Sequence, residues 1–440
     1  MKLYSTKNRS LEVSLQEAVF KGLPEDNGLY MPVVIPRLPD SFIQNLKHYT
    51  FQEIGFEISK ALFQGEIPDS DLHQIIDHAI NFPAPVVVLD DDVHVLELFH
   101  GPSLAFKDFG ARFMSQLMSY FNRGESKELV ILVATSGDTG GAVAAGFYKT
   151  PGIRVVILYP SGKVSELQEC QLTTLGHNVS ALEIDGTFDD CQAMVKQAFL
   201  DKSLRDTIRL SSANSINIAR LIPQSFYYFE AFKQVNTGRP IVFSVPSGNF
   251  GNLTAGLLAR EMGLPVYQFL AATNVNDVVP QYLSTGLFSP KPSMRTLSNA
   301  MDVGNPSNFS RLVDLIFDTD ECSTWNKMKE LITGYAFTDE FTKQAMEEVY
   351  HNYGYIIDPH GAVGYLALKC FQGRYELPST TGIVLETAHP SKFKDDVEAI
   401  LQIKIEVPER LSELADKPKM SFPLPPQYDA LKSWLLDYLA

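Results

Sequence analysis

The chain has 440 residues and a net charge of −15, because 37 lysines and arginines are set against 52 aspartates and glutamates. A negative field of that size repels phosphate backbones and anionic lipids, so no nucleic acid and no membrane is expected as a partner. At about 100–200 residues per domain, the length predicts two to four domains.

The opening residues 1–6 are not followed by an apolar run, and the longest apolar runs, such as residues 129–134, have the length of a strand. A signal peptide and a membrane-spanning helix are therefore not expected. The cysteines form no C-x-x-C pair and no zinc-ligand cluster, which favours free thiols in a reducing compartment. We expect a soluble, cytoplasmic protein with no bound metal.

Residues 1–92 mix helical periodicity with Pro and Gly breaks and are predicted to form an N-terminal domain, which ends near a turn at residues 82–85. From about Val93, short β-branched runs alternate with amphipathic helical stretches. Strands are predicted at residues 129–134, 154–159 and 179–184, with helices between them. This alternation predicts parallel βαβ units and a first α/β lobe over residues 93–236.

A second series of the same kind predicts an α/β lobe over residues 237–440. Its predicted strands are residues 241–245, 266–271 and 382–386, and residues 215–234 are predicted to form a long helix that joins the lobes. The fold class is therefore α/β, with two doubly wound parallel-sheet lobes preceded by an N-terminal domain. Ligands of such sheets bind at the carboxyl ends of the strands, so the loops there are the candidate site.

Residues 134–141 follow a predicted strand and open a helix with Ser136, Gly137, Asp138 and Thr139. Glycines let a ligand approach the backbone, and the helix N-terminus offers free N–H groups and a partial positive charge. The pattern suits a small anion such as a carboxylate, although an ordinary strand-to-helix turn has the same pattern.

Residues 245–252, from Val245 to Asn252, form a second loop of small residues between a strand and a helix. No G-K-[ST] follows, and the loop is not G-x-G-x-x-G, so neither nucleotide signature applies. The loop still suits a phosphate.

Residues 211–220 form a third candidate, with small polar residues, a helix start and Arg220 within two turns. Asn214, Ser215, Asn217 and Arg220 could face an anion. The pattern alone favours a plain helix N-cap instead.

Lys107 is predicted at the start of a helix, between Phe106 and Phe109. The helix dipole disfavours a cation at that end, and apolar neighbours favour the neutral amine. A neutral amine is what an imine-forming lysine needs, although a solvated lysine is the commoner reading of such a position.

Five strings, in this order, resemble the threonine synthases, pyridoxal-phosphate enzymes of fold type II (tryptophan synthase β-like). They are residues 100–108 (HGPSLAFKD), 135–140 (TSGDTG), 212–217 (SANSIN), 245–252 (VPSGNFGN) and 386–390 (ETAHP). Residues 1–6 and 272–277 are also similar, so the resemblance covers nearly the whole chain.

The resemblance implies that Lys107 forms an imine with pyridoxal 5'-phosphate and that Thr387 faces the pyridine nitrogen, which a hydroxyl would leave largely unprotonated. It implies that the cofactor phosphate is cradled by Gly248, Asn249, Phe250, Gly251 and Asn252. It also implies the following substrate-binding residues: Ser103, which replaces the Thr of many relatives, Ser136, Gly137, Asp138 and Thr139 for the carboxylate, and Asn214, Asn217 and Arg220 for a phosphate.

The implied reaction converts O-phospho-L-homoserine and water to L-threonine and phosphate, the last step of threonine biosynthesis. Moving the hydroxyl to the β-carbon needs carbanion chemistry, for which the cofactor is the electron sink, and the freed Lys107 amine is the expected base. Two alternatives remain. A fold-type-II threonine or serine dehydratase, or a β-replacing synthase, needs no site for a substrate phosphate. A non-catalytic binding protein should lack the lysine or the glycine-rich loop.

Overall fold

A computed structural model describes residues 1–135, 137–235, 237–374, 379–415 and 417–439. Its strands are β1 (Lys2–Ser5), β2 (Asn8–Ser14), β3 (Tyr30–Pro32), β4 (Val86–Asp90), β5 (Val93–Glu97), β6 (Leu129–Ala134), β7 (Ile153–Pro160), β8 (Val179–Ile184), β9 (Arg209–Ser211), β10 (Ile241–Pro246), β11 (Gln268–Thr273), β12 (Ile332–Ala336), β13 (Thr381–Glu386) and β14 (Ser421–Leu424).

Its α-helices lie mostly between these strands. They are α1 (Leu15–Lys21), α2 (Asp40–Gln44), α3 (Phe51–Phe63), α4 (Asp69–Ala79), α5 (Lys107–Phe121), α6 (Asp138–Phe147), α7 (Glu166–Thr173), α8 (Phe188–Leu200), α9 (Lys202–Thr207), α10 (Ile218–Leu221), α11 (Phe226–Gln234), α12 (Gly251–Glu261), α13 (Val278–Thr285), α14 (Phe309–Ile316), α15 (Glu321–Leu331), α16 (Asp339–Tyr353), α17 (Pro359–Gln372), α18 (Lys394–Leu401), α19 (Glu409–Ala415) and α20 (Tyr428–Leu439).

Two sheets built mainly of parallel strands carry the fold. One has the order β14-β8-β7-β6-β9, and the other has the order β12-β11-β10-β13-β5-β4, in which only β4 is antiparallel to its neighbour. The inner strands β10, β11 and β13 are buried along their whole length, as continuous apolar runs in parallel sheets require. The α/β fold class with two parallel-sheet lobes is therefore confirmed.

The chain passes between the lobes more often than the predicted boundaries allow. Strand β5 pairs with β13 in the six-stranded sheet, and β14 pairs with β8 in the five-stranded sheet. Residues 93–97 therefore lie in the second lobe's sheet, and residues 421–424 lie in that of the first. Both are short segments, and local patterns carry no information on which strand will be the neighbour.

The helix predicted over residues 215–234 is broken into α10, a 3-10 turn at Ile222–Ser225 and α11. Pro223 explains the break, because its ring leaves no N–H for a helical hydrogen bond and crowds the preceding turn. The N-terminal β1, β2 and β3 form a separate antiparallel sheet. Among the described helices, none is long and apolar enough to cross a membrane.

Candidate active site

A cavity of about 1440 Å³ lies at the carboxyl ends of strands from both sheets. Its lining brings together parts of all five strings singled out in the sequence. From the predicted site it contains Lys107, Thr139, Arg220, Gly248, Asn249, Phe250, Gly251, Asn252 and Thr387.

Lys107 is the first residue of α5 and is half-buried at the cavity wall. The loop before it is fixed by backbone contacts to the segment after β13. The N–H of Phe106 donates to the carbonyl of Thr387 at 2.9 Å, and the N–H of His389 donates to the carbonyl of Leu104 at 3.0 Å. Leu104 has a φ of 57°, a left-handed conformation that turns the chain into the helix. The position of Lys107 is thus set by backbone rather than by flexible side chains.

Asp108 stabilises the same loop from inside. Its Oδ2 accepts a hydrogen bond from the backbone N–H of Ser103 at 2.9 Å, and a Cβ at Gly101 would lie 2.4 Å from that oxygen. Burial raises the pKa of Asp108 to about 6, against an ordinary value of 3.8. The loop therefore closes tightly around a carboxyl group that is next to Lys107 in the chain.

The loop between β10 and α12 has the geometry of an anion site. A Cβ at Gly248 would lie 2.6 Å from the carbonyl oxygen of Ala300 and 2.8 Å from the Cα of Met301, so only glycine fits there. Phe250 has a φ of 60° and precedes the first turn of α12, whose free N–H groups face the cavity side of the loop.

Asn252 supplies a further polar group at this loop. Its Oδ1 accepts hydrogen bonds from the hydroxyls of Tyr227 at 2.7 Å and Tyr228 at 2.8 Å. Its buried Nδ2 has no hydrogen-bond partner within the part of the chain that the structure describes. An unpaired buried donor beside a helix N-terminus fits a bound phosphate, which would accept from both.

Thr387 is 7% exposed and lines the cavity immediately after β13. The neighbouring His389 is held neutral, because burial lowers its pKa to about 4. Its Nδ1 accepts from the backbone N–H of Ser391 at 3.1 Å. An uncharged imidazole near Thr387 suits a hydroxyl that would face an uncharged ring nitrogen.

The loop before α6 reaches the cavity through Thr139. Two of its backbone donors, the N–H groups of Gly137 and Gly140, are bonded to the hydroxyl of Thr135 at 3.0 and 2.9 Å. Gly137 has a φ of 144° and lies against the side chain of Gln168. Ser136 and the Asp138 side chain, which were predicted to bind the substrate carboxylate, lie outside the described residues.

Of the third predicted segment, residues 211–220, only Ser215 and Arg220 are in the described cavity lining. Arg220 is 3% exposed and lines the cavity, and its Nη1 donates to the carbonyl of Ala213 at 2.8 Å. Its Nε has no partner among the described groups, and burial lowers its pKa to about 10. An arginine in this state is suited to binding an anion.

The prediction that Asn214 and Asn217 face the substrate phosphate is not supported. Asn214 is exposed and lies outside the described cavity lining. Asn217 is the N-cap of α10, where its Oδ1 accepts from the N–H of Ala219 at 3.0 Å and its Nδ2 donates to the carbonyl of Val19 at 2.9 Å. Its amide is used in holding α10 to α1.

Ser103 also lies outside the main cavity lining. It lines a smaller pocket of about 430 Å³ rather than the main cavity, and its buried hydroxyl has no partner among the described groups. Its carbonyl oxygen accepts from the Nζ of Lys392 at 2.9 Å and from Gln171 at 3.2 Å. Because Lys392 lines the main cavity, Ser103 contacts the site through that side chain.

Several lining residues were not anticipated from the sequence. They are Lys163, Arg295, His360, Lys392 and Lys394. Ser215 accepts from the Nδ2 of Asn249 at 3.1 Å, which ties the third segment to the glycine-rich loop. The nearness of residues 391–394 to residues 386–390 was the one available signal for Lys392.

Comparisons with known proteins agree with this geometry. The family model for pyridoxal-phosphate dependent enzymes matches residues 86–386, the threonine synthase N terminus matches residues 2–80, and the threonine synthase C-terminal model matches residues 361–435. The threonine synthase of Escherichia coli (strain K12) is 48% identical over 100% of both chains.

Solved structures give the same result over the whole chain. The crystal structure of threonine synthase from Escherichia coli has a TM-score of 0.89 at 47% identity and covers 100% of both chains. The crystal structure of PLP-bound threonine synthase from Brucella melitensis has a TM-score of 0.94 at 33% identity and covers 100% of this chain and 99% of that one.

Fold and site together define a pyridoxal-phosphate-dependent enzyme of fold type II. The matches to the threonine synthase N-terminal and C-terminal models identify one family within this class of enzymes. The chain belongs to the threonine synthase family, a family of lyases that use pyridoxal 5'-phosphate.

Proposed function

We propose that this enzyme converts O-phospho-L-homoserine and water to L-threonine and phosphate, in the cytoplasm. The observation that carries the proposal is that one cavity contains Lys107, the phosphate-binding loop of residues 248–252, Thr387 and the buried Arg220. A lysine, an anion loop, a ring-facing hydroxyl and a second cation are the groups that this cofactor and this substrate need.

The residues that would hold the cofactor are at two walls of the cavity. The backbone of Gly248 to Asn252 and the Nδ2 of Asn252 would bind its phosphate, and the hydroxyl of Thr387 would face its ring nitrogen. When bound, pyridoxal phosphate supplies an electron sink for negative charge on the substrate carbons. Lys107 would hold and move protons at its Nζ. Its position at the start of α5 favours the neutral amine that this role needs.

The substrate phosphate requires positive charge in a chain whose overall charge is −15. Arg220 provides such a charge from a buried position, and its Nε–H has no acceptor among the described groups. Lys163, Arg295 and Lys394 also line the cavity, together with the carboxylates of Glu166, Asp302, Asp395 and Asp396. Among these residues Arg220 is the buried cation whose Nε has no partner in the described part of the chain. We therefore propose Arg220 as the primary contact of the substrate phosphate.

The substrate carboxylate is proposed to bind at the loop before α6. Thr139 reaches the cavity there, at the N-terminus of that helix. The N–H groups of Gly137 and Gly140 are occupied by Thr135, so that hydroxyl must turn away if they are to bind a carboxylate. Ser136 and Asp138 remain part of this proposal.

The test is to incubate the holoenzyme with O-phospho-L-homoserine and to measure phosphate and threonine together. Equal amounts of both are expected. The same enzyme incubated with L-threonine alone should release little ammonia. Ammonia release from threonine that outpaces phosphate release would make the chain a dehydratase and would contradict the proposal.

A further inference from the structure

Asp358 accepts hydrogen bonds from two segments, the start of α17 and the loop after β13. It is fully buried at the N-cap of α17. Its Oδ1 accepts from the backbone N–H of His360 at 2.5 Å and from the ring Nδ1 at 2.7 Å, and its Oδ2 accepts from the N–H of Ala388 at 3.3 Å. Since Ala388 follows Thr387 directly, Asp358 joins the start of α17 to the loop that carries Thr387.

His360 extends this connection to Ala300, which also lines the cavity. Its Nε2 accepts from the backbone N–H of Ala300 at 3.2 Å. An N–H group must donate, so Nε2 has the lone pair and Nδ1 has the proton that faces Asp358. Ala300 in turn packs on Gly248, where its carbonyl oxygen leaves no room for a Cβ.

Glu386 is a second buried carboxyl group, and it contacts Asp358 through the backbone. The Oε1 of Glu386 accepts from the backbone N–H of Asp358 at 2.6 Å, and its side chain lies against Gly361. Burial, together with the charges of Asp358 and Glu97, raises the pKa of Glu386 well above its ordinary value. The protonated form of Glu386 is therefore favoured, and its contact with the N–H of Asp358 adds to the packing at the start of α17.

We infer that Asp358 and His360 are positioning residues that fix the distance between the Thr387 hydroxyl and the loop of residues 248–252. The inference rests on the proposed function, since those two groups are the proposed contacts of the two ends of the cofactor. A cofactor held at both ends keeps one orientation relative to Lys107. Neither positioning residue needs to touch the reacting atoms for this effect.

Two substitutions of His360 separate the two halves of the connection. An asparagine places its amide near the position of Nδ1, so His360→Asn keeps the donor to Asp358 and loses the contact with Ala300. A glutamine reaches the position of Nε2, so His360→Gln keeps an acceptor for Ala300 and loses the contact with Asp358. The exposed His351, which bonds to its own helix, gives the matched control His351→Asn.

The measurements are made without substrate, by titrating pyridoxal phosphate into the apoprotein of each variant. For His360→Asn we expect about a tenfold rise in the dissociation constant and a broadened phosphorus NMR signal, since the phosphate end is released. For His360→Gln we expect a sharp phosphorus signal and a shifted absorption band, since the ring end is released.

The inference would be overturned if both His360 variants left the cofactor affinity, the phosphorus signal and the absorption band unchanged. This holds even if the apoproteins unfold at a lower temperature. A nitrogen NMR spectrum of the unmodified enzyme gives a test that needs no variant to fold. It should show the His360 proton on Nδ1, and a proton on Nε2 would equally overturn the inference. Failure to release phosphate from O-phospho-L-homoserine would instead reject the proposed function and leave these readouts standing.

Discussion

The backbone N–H of Phe106 donates to the carbonyl oxygen of Thr387 at 2.9 Å. An antiparallel bridge between Ala105 and Ala388 flanks this bond. The residue after Phe106 is the proposed cofactor lysine, and Thr387 itself is the proposed partner of the ring nitrogen. The backbone therefore sets the spacing of these two functional groups, whose side chains enter the cavity from adjoining segments.

Replacing Lys107 by alanine should lower phosphate release by about a thousandfold or more, because both the cofactor attachment and the proton carrier are lost. The fold should persist, since Lys107 is only half-buried. Circular dichroism and a phosphate-release assay check the two statements. The control Lys202→Ala alters a side chain that is 82% exposed and should have no effect. Normal turnover by the Lys107 variant would remove that residue from its proposed role.

Replacing Gly248 by alanine should raise the dissociation constant of pyridoxal phosphate about tenfold or more. The new Cβ would lie 2.6 Å and 2.8 Å from backbone atoms of Ala300 and Met301, so the loop must shift. The control is Gly373→Ala, where the nearest atom is 3.4 Å from the new Cβ and the φ of −70° is ordinary. Equal affinities for the two variants would contradict the phosphate assignment of the loop.

Replacing Asn217 by alanine should destabilise the fold by about 1–3 kcal/mol without a specific rise in KM. The substitution removes the cap of α10 and leaves the carbonyl of Val19 buried and unpaired. Urea unfolding and substrate kinetics measure the two effects. Asn214→Ala, at an exposed position, should change neither. A large rise in KM at unchanged stability would restore Asn217 as a substrate contact.

Replacing Asp108 by asparagine should remove a pH dependence of stability. The pKa of Asp108 is raised in the fold from 3.8 to about 6, so its favourable contribution is present below pH 4 and is lost as the pH rises through about 6. The free energy of unfolding of Asp108→Asn, relative to the unmodified apoprotein, should therefore increase by about 3 kcal/mol from pH 4 to pH 7. Urea unfolding at several pH values measures this difference, and a constant difference would show that the carboxyl ionises normally.

The inner strands were predictable because parallel strands covered on both faces have nearly continuous apolar sequences, as in β6, β7 and β10. Strand β12 was missed because its sequence contains Gly334, is only partly buried, and follows α15 with no turn residue between them. Strands β9 and β14 are short and lie at the two edges of their sheet, where the apolar pattern is weak. Which strands become neighbours is decided by packing over the whole chain.

The site shows the same division between local and long-range information. Lys107, residues 248–252 and Thr387 were predicted, because each lies in a distinctive string. His360 and Lys392 join them in one cavity only through the sheet topology, which no local pattern records. Asn217 was assigned to the ligand because an N-cap asparagine and a ligand-binding asparagine have the same sequence context.

The central place of β13 between β10 and β5 also governs when the enzyme can become active. During synthesis the segment that contains Lys107 emerges early, but the strand that must lie beside β5 emerges near the end. Until then the six-stranded sheet lacks an inner strand, and the loop before α5 lacks its backbone partners at Thr387 and Ala388. A nascent chain therefore has no complete cofactor site, and loading with cofactor must follow translation of nearly the whole polypeptide.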